Sequence, residues 1–308
     1  MRDPFSACGK LGIVHFMLYP AALKGEMPRE QLLASLEYLA ADTDLDVVEI
    51  TWIKDPAIRG QVRDLLHQAR VTVAFGCQPL LLTQKLSLNA LDEALVRRSI
   101  EEVKKGLTEA AEMGASGIGI LAGPAAGPEQ RAAQSDIFVK SAVEICKDAQ
   151  RRGLTVALEQ FDRQPWAKNS LLGPIEECVA AARRIRCEVD NFGLLLDLSH
   201  LPLLGENSRH SLHGARGFMT HAHMGNCVMR DPQHPAYGDE HPRFGCTGGE
   251  NDVAELAEYL RTLVFTGYLG TQRPILSFEV KPMAAYHEDP RWILAHSKRT
   301  FAAAWAEA

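Results

Sequence analysis

The sequence has 308 residues, of which 46% are hydrophobic and 23% are charged, and its formal net charge is −6. This is the composition of a globular protein with a substantial core, and it excludes low-complexity and fibrous classes. The acidic balance argues against a nucleic-acid or anionic-membrane partner, either of which would require a basic surface, so we expect a small-molecule partner.

The cysteines and the apolar runs indicate the compartment. The seven cysteines are scattered and form no C-x-x-C pair, which is typical of reduced thiols. No apolar run approaches the roughly 20 residues of a membrane span. The apolar stretch near the N-terminus is interrupted by Gly9, Lys10 and His15, unlike a signal peptide. We therefore expect a cytoplasmic protein with no membrane partner.

Short runs rich in valine, isoleucine and leucine predict eight β-strands, each followed by a stretch with helical periodicity. Pro28 and Pro174 are expected at the first positions of two helices, and an amphipathic helix is expected over 91–114, ending on Gly114. The predicted strands cover residues 11–18, 46–53, 71–78, 116–123, 154–161, 192–199, 218–225 and 274–281.

Eight strand-helix units predict a (β/α)8 TIM barrel, because strands buried on both faces read as continuous apolar runs. An open, doubly wound sheet is the alternative. No linker separates the units, so residues 1–308 are expected to form a single domain. Residues 226–251, between strands 7 and 8, are too rich in proline and glycine for a helix. A loop this long in a compact domain is usually functional.

Ionisable residues stand at the ends of four successive predicted strands. They are Glu159, Asp197, His223 and Glu279. In a (β/α)8 barrel these ends meet at one mouth, where three carboxylates would repel one another unless a cation intervened. Three oxygen donors and one imidazole suit Mn²⁺, Mg²⁺ or Co²⁺, with positions left open for substrate oxygens. The pattern therefore predicts a divalent-metal site.

Each of these residues also has a purely structural interpretation. An isolated glutamate at a strand end often caps a helix or pairs with a lysine. Asp197 begins a turn-like "DLSH" segment, in which an aspartate commonly caps the backbone. We expect His221 to be a half-buried structural histidine on the face opposite His223. Recurrence on four strands is what favours a site.

The same residues carry a resemblance to a known family. The segments "LEQFD", "DLSH", "HAHMG" and "SFEV", within residues 154–282, resemble the xylose isomerase-like superfamily of sugar (phosphate) isomerases and epimerases. Within it they are similar to the ketose 3-epimerase branch of tagatose and psicose epimerases. The resemblance implies the same barrel, a sugar substrate and a homo-oligomer.

The resemblance also implies roles for individual residues. Glu159, Asp197, His223 and Glu279 would bind the metal, most naturally Mn²⁺. Glu159 and Glu279 would in addition be the catalytic acid and base on opposite faces of the substrate carbon, moving a proton through a metal-stabilised enediolate. His200 would bind a substrate oxygen.

Around this centre the sequence departs from the branch. Met229, followed by Arg230, replaces an arginine, and Asn226 replaces a glutamate. After Glu159 the sugar-contacting glutamate is replaced by a segment with Trp166 and Lys168. The full set of expected substrate-binding residues is His200, Arg230, Lys168, Trp166, Arg243 and Asn226, with Trp166 and Phe244 as apolar walls.

Cationic residues around the expected mouth indicate an anionic or larger oxidised sugar, unless they are merely solvated. They are Lys168, His234, His241, Arg243 and Lys281. The leading hypothesis is a metal-dependent isomerase or epimerase of a ketose or keto-sugar derivative. The alternative is a lyase with the same metal chemistry, decarboxylating or eliminating from an oxidised sugar such as a 3-keto glycoside. A phosphodiester-cleaving endonuclease barrel is more remote, because the acidic chain offers no DNA groove.

Overall fold

A computed structural model describes residues 4–308. Eight parallel strands pair in chain order and close on themselves, so the open sheet is excluded and the predicted (β/α)8 barrel is confirmed. The strands are β1 (Lys10–Val14), β2 (Val47–Ile50), β3 (Thr72–Gly76), β4 (Gly117–Leu121), β5 (Thr155–Glu159), β6 (Phe192–Asp197), β7 (Met219–Met224) and β8 (Ile275–Phe278).

Helices surround the barrel and cover its apolar outer face. The α-helices are α1 (His15–Leu18), α2 (Arg29–Ala40), α3 (Pro56–Gln68), α4 (Gln78–Thr83), α5 (Glu93–Glu112), α6 (Arg131–Gln150), α7 (Ile175–Arg186), α8 (His200–Leu203), α9 (Ser208–Gly214), α10 (Val253–Phe265) and α11 (Pro290–Glu307). Short 3-10 turns occur at Phe5–Ala7, Pro20–Ala22, Pro128–Gln130 and Ala284–Tyr286. Among the described residues, every helix is too short or too polar to cross a bilayer.

The predicted elements are correct in kind and order, but the apolar runs overestimate the strands. The first run continues past β1 because its later residues, from His15, form the buried helix α1. Pro28 and Pro174 each lie one residue before the helix they introduce. The amphipathic segment 91–114 forms α5, and Gly114 follows its end with φ +68°, a left-handed conformation that glycine adopts readily.

The register of the strands determines where along the barrel axis the candidate residues lie. Glu159 ends β5 and pairs with Leu195 of β6, while Asp197 ends β6 and pairs with His223 of β7. Glu279 directly follows β8. The carboxyl ends of these strands therefore present the four residues at one rim of the barrel.

The long segment between β7 and α10 is held by hydrogen bonds from its two ends. The side-chain oxygen of Asn226 accepts from the backbone N–H groups of Cys227 and Asn251, at 2.9 and 2.8 Å. Isolated bridges join Val228 to Tyr237 and to Gly249. These contacts fold the segment back over the rim.

Candidate active site

Three of the four predicted metal ligands converge at the rim. His223 Nδ1 lies 2.6 Å from Glu279 Oε2 and 3.6 Å from Glu159 Oε1. One ligand atom from each of these residues lies within 4.8 Å of the others, and all three residues are buried. Such a group could hold a metal ion.

Asp197, the fourth predicted ligand, joins the cluster through two histidines. Its Oδ2 lies 3.5 Å from His241 Nδ1 and 3.8 Å from His200 Nε2. It also accepts hydrogen bonds from the backbone N–H of Ser199, at 3.0 Å, and from the Ser199 hydroxyl. The turn-capping role considered from the sequence is therefore present, and it coexists with a position beside the cluster.

The donor set fits a divalent cation. Glu159 Oε1 is buried and has no hydrogen-bond partner among residues 4–308. An ionised oxygen buried in this way is costly unless a cation approaches it. Three carboxylates with one imidazole form an oxygen-rich set of the kind that Mn²⁺ and Mg²⁺ bind.

Glu159 is oriented by Gln78, whose Nε2 donates to Glu159 Oε2 at 2.8 Å. Gln78 is the first residue of α4, and its amide reaches into the barrel beside Gly119 of β4. A Cβ atom at Gly119 would lie only 2.4 Å from Gln78 Nε2. The absence of a side chain at Gly119 therefore makes room for the Gln78 amide. That amide binds Oε2 of Glu159 and leaves Oε1 without a hydrogen bond.

His200 is completely buried at the start of α8. Its Nδ1 lies 2.7 Å from the carbonyl oxygen of Gln160, and its Nε2 lies 3.1 Å from Asp239 Oδ1. Burial by itself would lower the pKa of His200, but the Asp239 carboxylate outweighs burial and raises that pKa to about 10. The structure thus places Asp239 against the histidine that was expected to bind substrate.

Asp239 is a site residue that the sequence analysis missed. Its side chain is 4% exposed and contacts three groups that can carry positive charge: Lys168, His200 and His241, the last at 2.7 Å. Burial would raise the pKa of Asp239, but Lys168 and the two histidines hold it well below the usual range. No periodic pattern surrounds Asp239, so the only available signal was the length of its loop.

His241 belongs to the site too, although the sequence indicated only a cation in the loop. It is 2% exposed, and its Nε2 lies 3.9 Å from Glu279 Oε1. Burial lowers its pKa, but the carboxylates of Glu279 and Asp239 raise it to about 9. Gly225, the glycine of "HAHMG", admits this ring, because a Cβ there would lie 3.0 Å from His241 Nδ1.

A cavity of about 230 Å³ opens onto the cluster. Its polar side includes Glu159, His223, Glu279, Asp239 and Lys168, and its apolar side is formed by Phe16, Met17, Leu23, Pro79, Leu82 and Phe161. A larger cavity of about 390 Å³ lies near α2 and the end of β2, but it is lined by none of the four predicted ligands. The smaller cavity is therefore the one that adjoins the predicted metal ligands.

Of the other residues expected to bind substrate, Lys168 lines this cavity, and its ammonium lies 4.9 Å from the centre of the Phe161 ring. Trp166 instead packs against Tyr237, with ring centroids 5.2 Å apart, and its indole N–H donates to the Leu203 carbonyl. Trp166 therefore joins two loops, and the expected aromatic wall is supplied by Phe161.

Four further expected contacts lie away from this cavity. The Arg230 side chain is 83% exposed and pairs with Glu250. Arg243 lies 3.4 Å from Glu288. The Asn226 amide holds the long loop as described above, and Phe244 is fully buried in the core.

His221 is half-buried, as expected, but the face predicted for it was wrong. Side chains two residues apart on a strand point to the same face, and His221 lies inside the barrel like His223. Its Nε2 lies 2.7 Å from Glu49 Oε1, while His223 Nε2 lies 3.2 Å from Glu49 Oε2. Glu49, in the middle of the "VVEI" strand, was not singled out in the sequence.

The family model described as "Xylose isomerase-like TIM barrel" matches residues 37–296. The chain therefore belongs to the xylose isomerase-like TIM barrel family, as the strand-end motifs predicted. No curated protein matches the sequence.

Solved structures similar to this chain include several sugar epimerases. An L-ribulose 3-epimerase is 18% identical, with a TM-score of 0.72 over 97% of this chain and 95% of its own. A D-allulose 3-epimerase from Methylomonas sp. is 17% identical, with a TM-score of 0.70 over 99% of this chain and 100% of its own. A 3-keto-D-glucoside 4-epimerase from E. coli is 16% identical, with a TM-score of 0.64 over 93% of this chain and 99% of its own. At these identities the likeness concerns the fold.

Proposed function

We propose that this protein is a divalent-metal-dependent isomerase or epimerase of a ketose or keto-sugar derivative. The observation that carries the proposal is the buried cluster in which Glu159 and Glu279 lie beside His223 Nδ1, with Glu159 Oε1 left without a hydrogen bond. The family and the epimerases of similar fold support it.

In this proposal Glu159, Asp197, His223 and Glu279 hold the metal, for which Mn²⁺ is the leading candidate and Mg²⁺ or Co²⁺ also suit the donors. When bound, the metal supplies Lewis-acid polarisation of the substrate carbonyl and makes the adjacent C–H more acidic. Glu159 ends β5 and Glu279 directly follows β8, so they approach the cavity from different sides.

The two glutamates transfer the proton. One carboxylate removes the proton from the carbon next to the carbonyl, and the other returns a proton to that carbon or its neighbour. Return on the opposite face gives an epimer, and return on the neighbouring carbon gives an isomer. Gln78 donates to Glu159 Oε2 and so orients this carboxylate, whose other oxygen faces the cluster.

The charges around the cavity favour a neutral keto-sugar over a sugar phosphate or sugar acid. Of the described residues that line the cavity, Lys168 is the one lysine and none is an arginine. Lys168 is paired with Asp239, Lys281 with Glu240, and Arg243 with Glu288. Three of the cations that suggested an anionic substrate are therefore already paired with carboxylates within the protein.

The proposal predicts that Mn²⁺-loaded protein exchanges a substrate C–H proton with deuterated water. The assay incubates a panel of ketoses and 3-keto glycosides with the protein in D₂O and follows deuterium uptake by NMR and product mass. Glu279→Gln should lower exchange by about 10²- to 10⁴-fold, as expected for loss of an acid/base group. Glu240→Gln, in the neighbouring loop, is the matched control and should retain exchange.

Two results would count against the proposal. If no member of the panel exchanges protons in the presence of metal, proton transfer next to a carbonyl is not the reaction. If products appear with the mass of a decarboxylated or deglycosylated sugar, the cluster is used for lyase chemistry instead.

A further inference from the structure

We propose that Glu49 is a positioning residue that holds His223 with its remaining ring proton on Nε2, so that Nδ1 faces the metal. The inference rests on the proposed metal site and assigns a role to a residue outside its four ligands. Glu49 lies on β2, and two strands, β1 and β8, separate it from β7, which carries His223. The contact between them therefore crosses the barrel interior.

The geometry distinguishes the two nitrogens of His223. Nδ1 points to Glu279 and Glu159, whereas Nε2 lies 3.2 Å from Glu49 Oε2. An ionised carboxylate can only accept hydrogen bonds. A proton on Nε2 can therefore be donated to Glu49. Without a metal, Nδ1 can likewise donate to Glu279, 2.6 Å away. A cation held by Glu159 and Glu279 would take the place of that Nδ1 proton, whereas the proton on Nε2 stays with Glu49. Metal-bound histidines commonly donate their second nitrogen to a carboxylate in this way.

His221 fixes the other oxygen of Glu49. Its Nε2 lies 2.7 Å from Glu49 Oε1, and Glu49 itself is 5% exposed. The carboxylate therefore accepts one hydrogen bond on each oxygen and cannot rotate without losing both. This explains why "THAHMG" carries two histidines on one face of β7.

The test compares Mn²⁺ affinity in wild type and Glu49→Gln, measured by electron paramagnetic resonance of free Mn²⁺. A glutamine has one accepting oxygen. It is also neutral, so in either orientation of its amide the carboxylate partner of His223 Nε2 is lost, and with it the basicity that such a partner gives the metal-binding nitrogen. We expect affinity to fall about 10- to 100-fold, the usual effect of losing such a carboxylate.

Glu109→Gln is the matched control. Glu109 is also a shielded carboxylate, but it lies on α5 and accepts from the backbone N–H of Ile53. Glu109→Gln should bind Mn²⁺ as wild type does. Equal affinity in wild type and Glu49→Gln would overturn the inference while leaving the proposed function intact.

A second measurement needs no variant and so does not depend on the folding of Glu49→Gln. Long-range ¹H–¹⁵N spectra of wild-type protein loaded with Mg²⁺ report the protonated nitrogen of each imidazole. We expect His223 to carry its proton on Nε2, and a proton on Nδ1 would overturn the inference.

Metal stoichiometry excludes the competing interpretation. One atom each of Glu49, His221 and His223 also lie within 4.8 Å of one another and could hold an ion of their own. Positioning by Glu49 predicts one Mn²⁺ per chain, and a second ion lost selectively in His221→Gln would contradict it. Absence of metal binding in wild type would overturn both this inference and the proposed function.

Discussion

Asp239 connects the two loops over the site, the β5–α7 segment and the β7–α10 segment to which it belongs. Its carboxylate lies between Lys168 of the β5–α7 segment and two histidines, His200 and His241. A buried carboxylate that neutralises several cationic groups fixes all of them at once, because moving it would remove from each its shortest contact with a carboxylate. Asp239 thereby sets both the shape of the mouth and the charge inside it.

Replacing Asp239 by asparagine should destabilise the protein. The substitution leaves the largely shielded Lys168 ammonium without its carboxylate, and breaking such a pair from one side typically costs about 3 kcal/mol in the free energy of unfolding. Urea denaturation monitored by circular dichroism measures the loss.

Lys168→Met combined with Asp239→Asn provides the control. Removing the ammonium as well should recover part of the lost stability, since the second substitution eliminates the unpaired charge. If the double variant is as unstable as the sum of the two single variants, the pair does not couple as described.

At the scale of elements, β4 and α4 support the site without supplying a ligand. Gly119 of β4 leaves the space through which Gln78 of α4 reaches Glu159. Gln78 and Glu159 are far apart in the sequence and meet only in the folded barrel. Neither Gln78 nor Gly119 therefore stands out in the sequence around it. The glycine reads simply as part of the apolar run "SGIGILAG".

Gly119→Ala should weaken metal binding. The added methyl group would lie 2.4 Å from Gln78 Nε2, so the amide must move and Glu159 loses its hydrogen bond. We expect a decrease in Mn²⁺ affinity of about tenfold, at the lower end of what loss of an orienting contact causes.

Gly60→Ala is the matched control for the added methyl group. Nothing lies within 4 Å of a Cβ placed at Gly60 of α3. Its Mn²⁺ affinity should equal that of wild type. If Gly119→Ala also binds Mn²⁺ normally, Gln78 does not orient Glu159 for the metal.

At the scale of the whole molecule, eight strands in chain order bring residues 49, 159, 197, 223 and 279 into one space. The repeat of apolar run and amphipathic helix was enough to predict the barrel, because each unit carries its own periodic signal. The same runs placed Glu159, Asp197, His223 and Glu279 at the rim, because a polar residue that ends a buried run is conspicuous.

The contacts that the sequence did not reveal depend on how the barrel closes and on where its long loops run. Glu49 meets His223 across the barrel, and Asp239 reaches His200 from a segment without periodicity. In the sequence, Arg230 and Arg243 look like substrate-binding cations. In the structure Arg230 pairs with Glu250 and Arg243 with Glu288, away from the cavity. Charge in a sequence does not reveal which partner the folded chain provides.

The central claim is that Glu159, Asp197, His223 and Glu279 hold one divalent metal at the rim. The most direct test is an anomalous difference map from crystals grown with Mn²⁺, measured where manganese scatters anomalously. We predict a single strong peak per chain among these four side chains, on the Nδ1 side of His223. A peak at Glu49 and His221, a peak at the exposed group Glu176, Glu206 and His210, or no peak at all would contradict the claim.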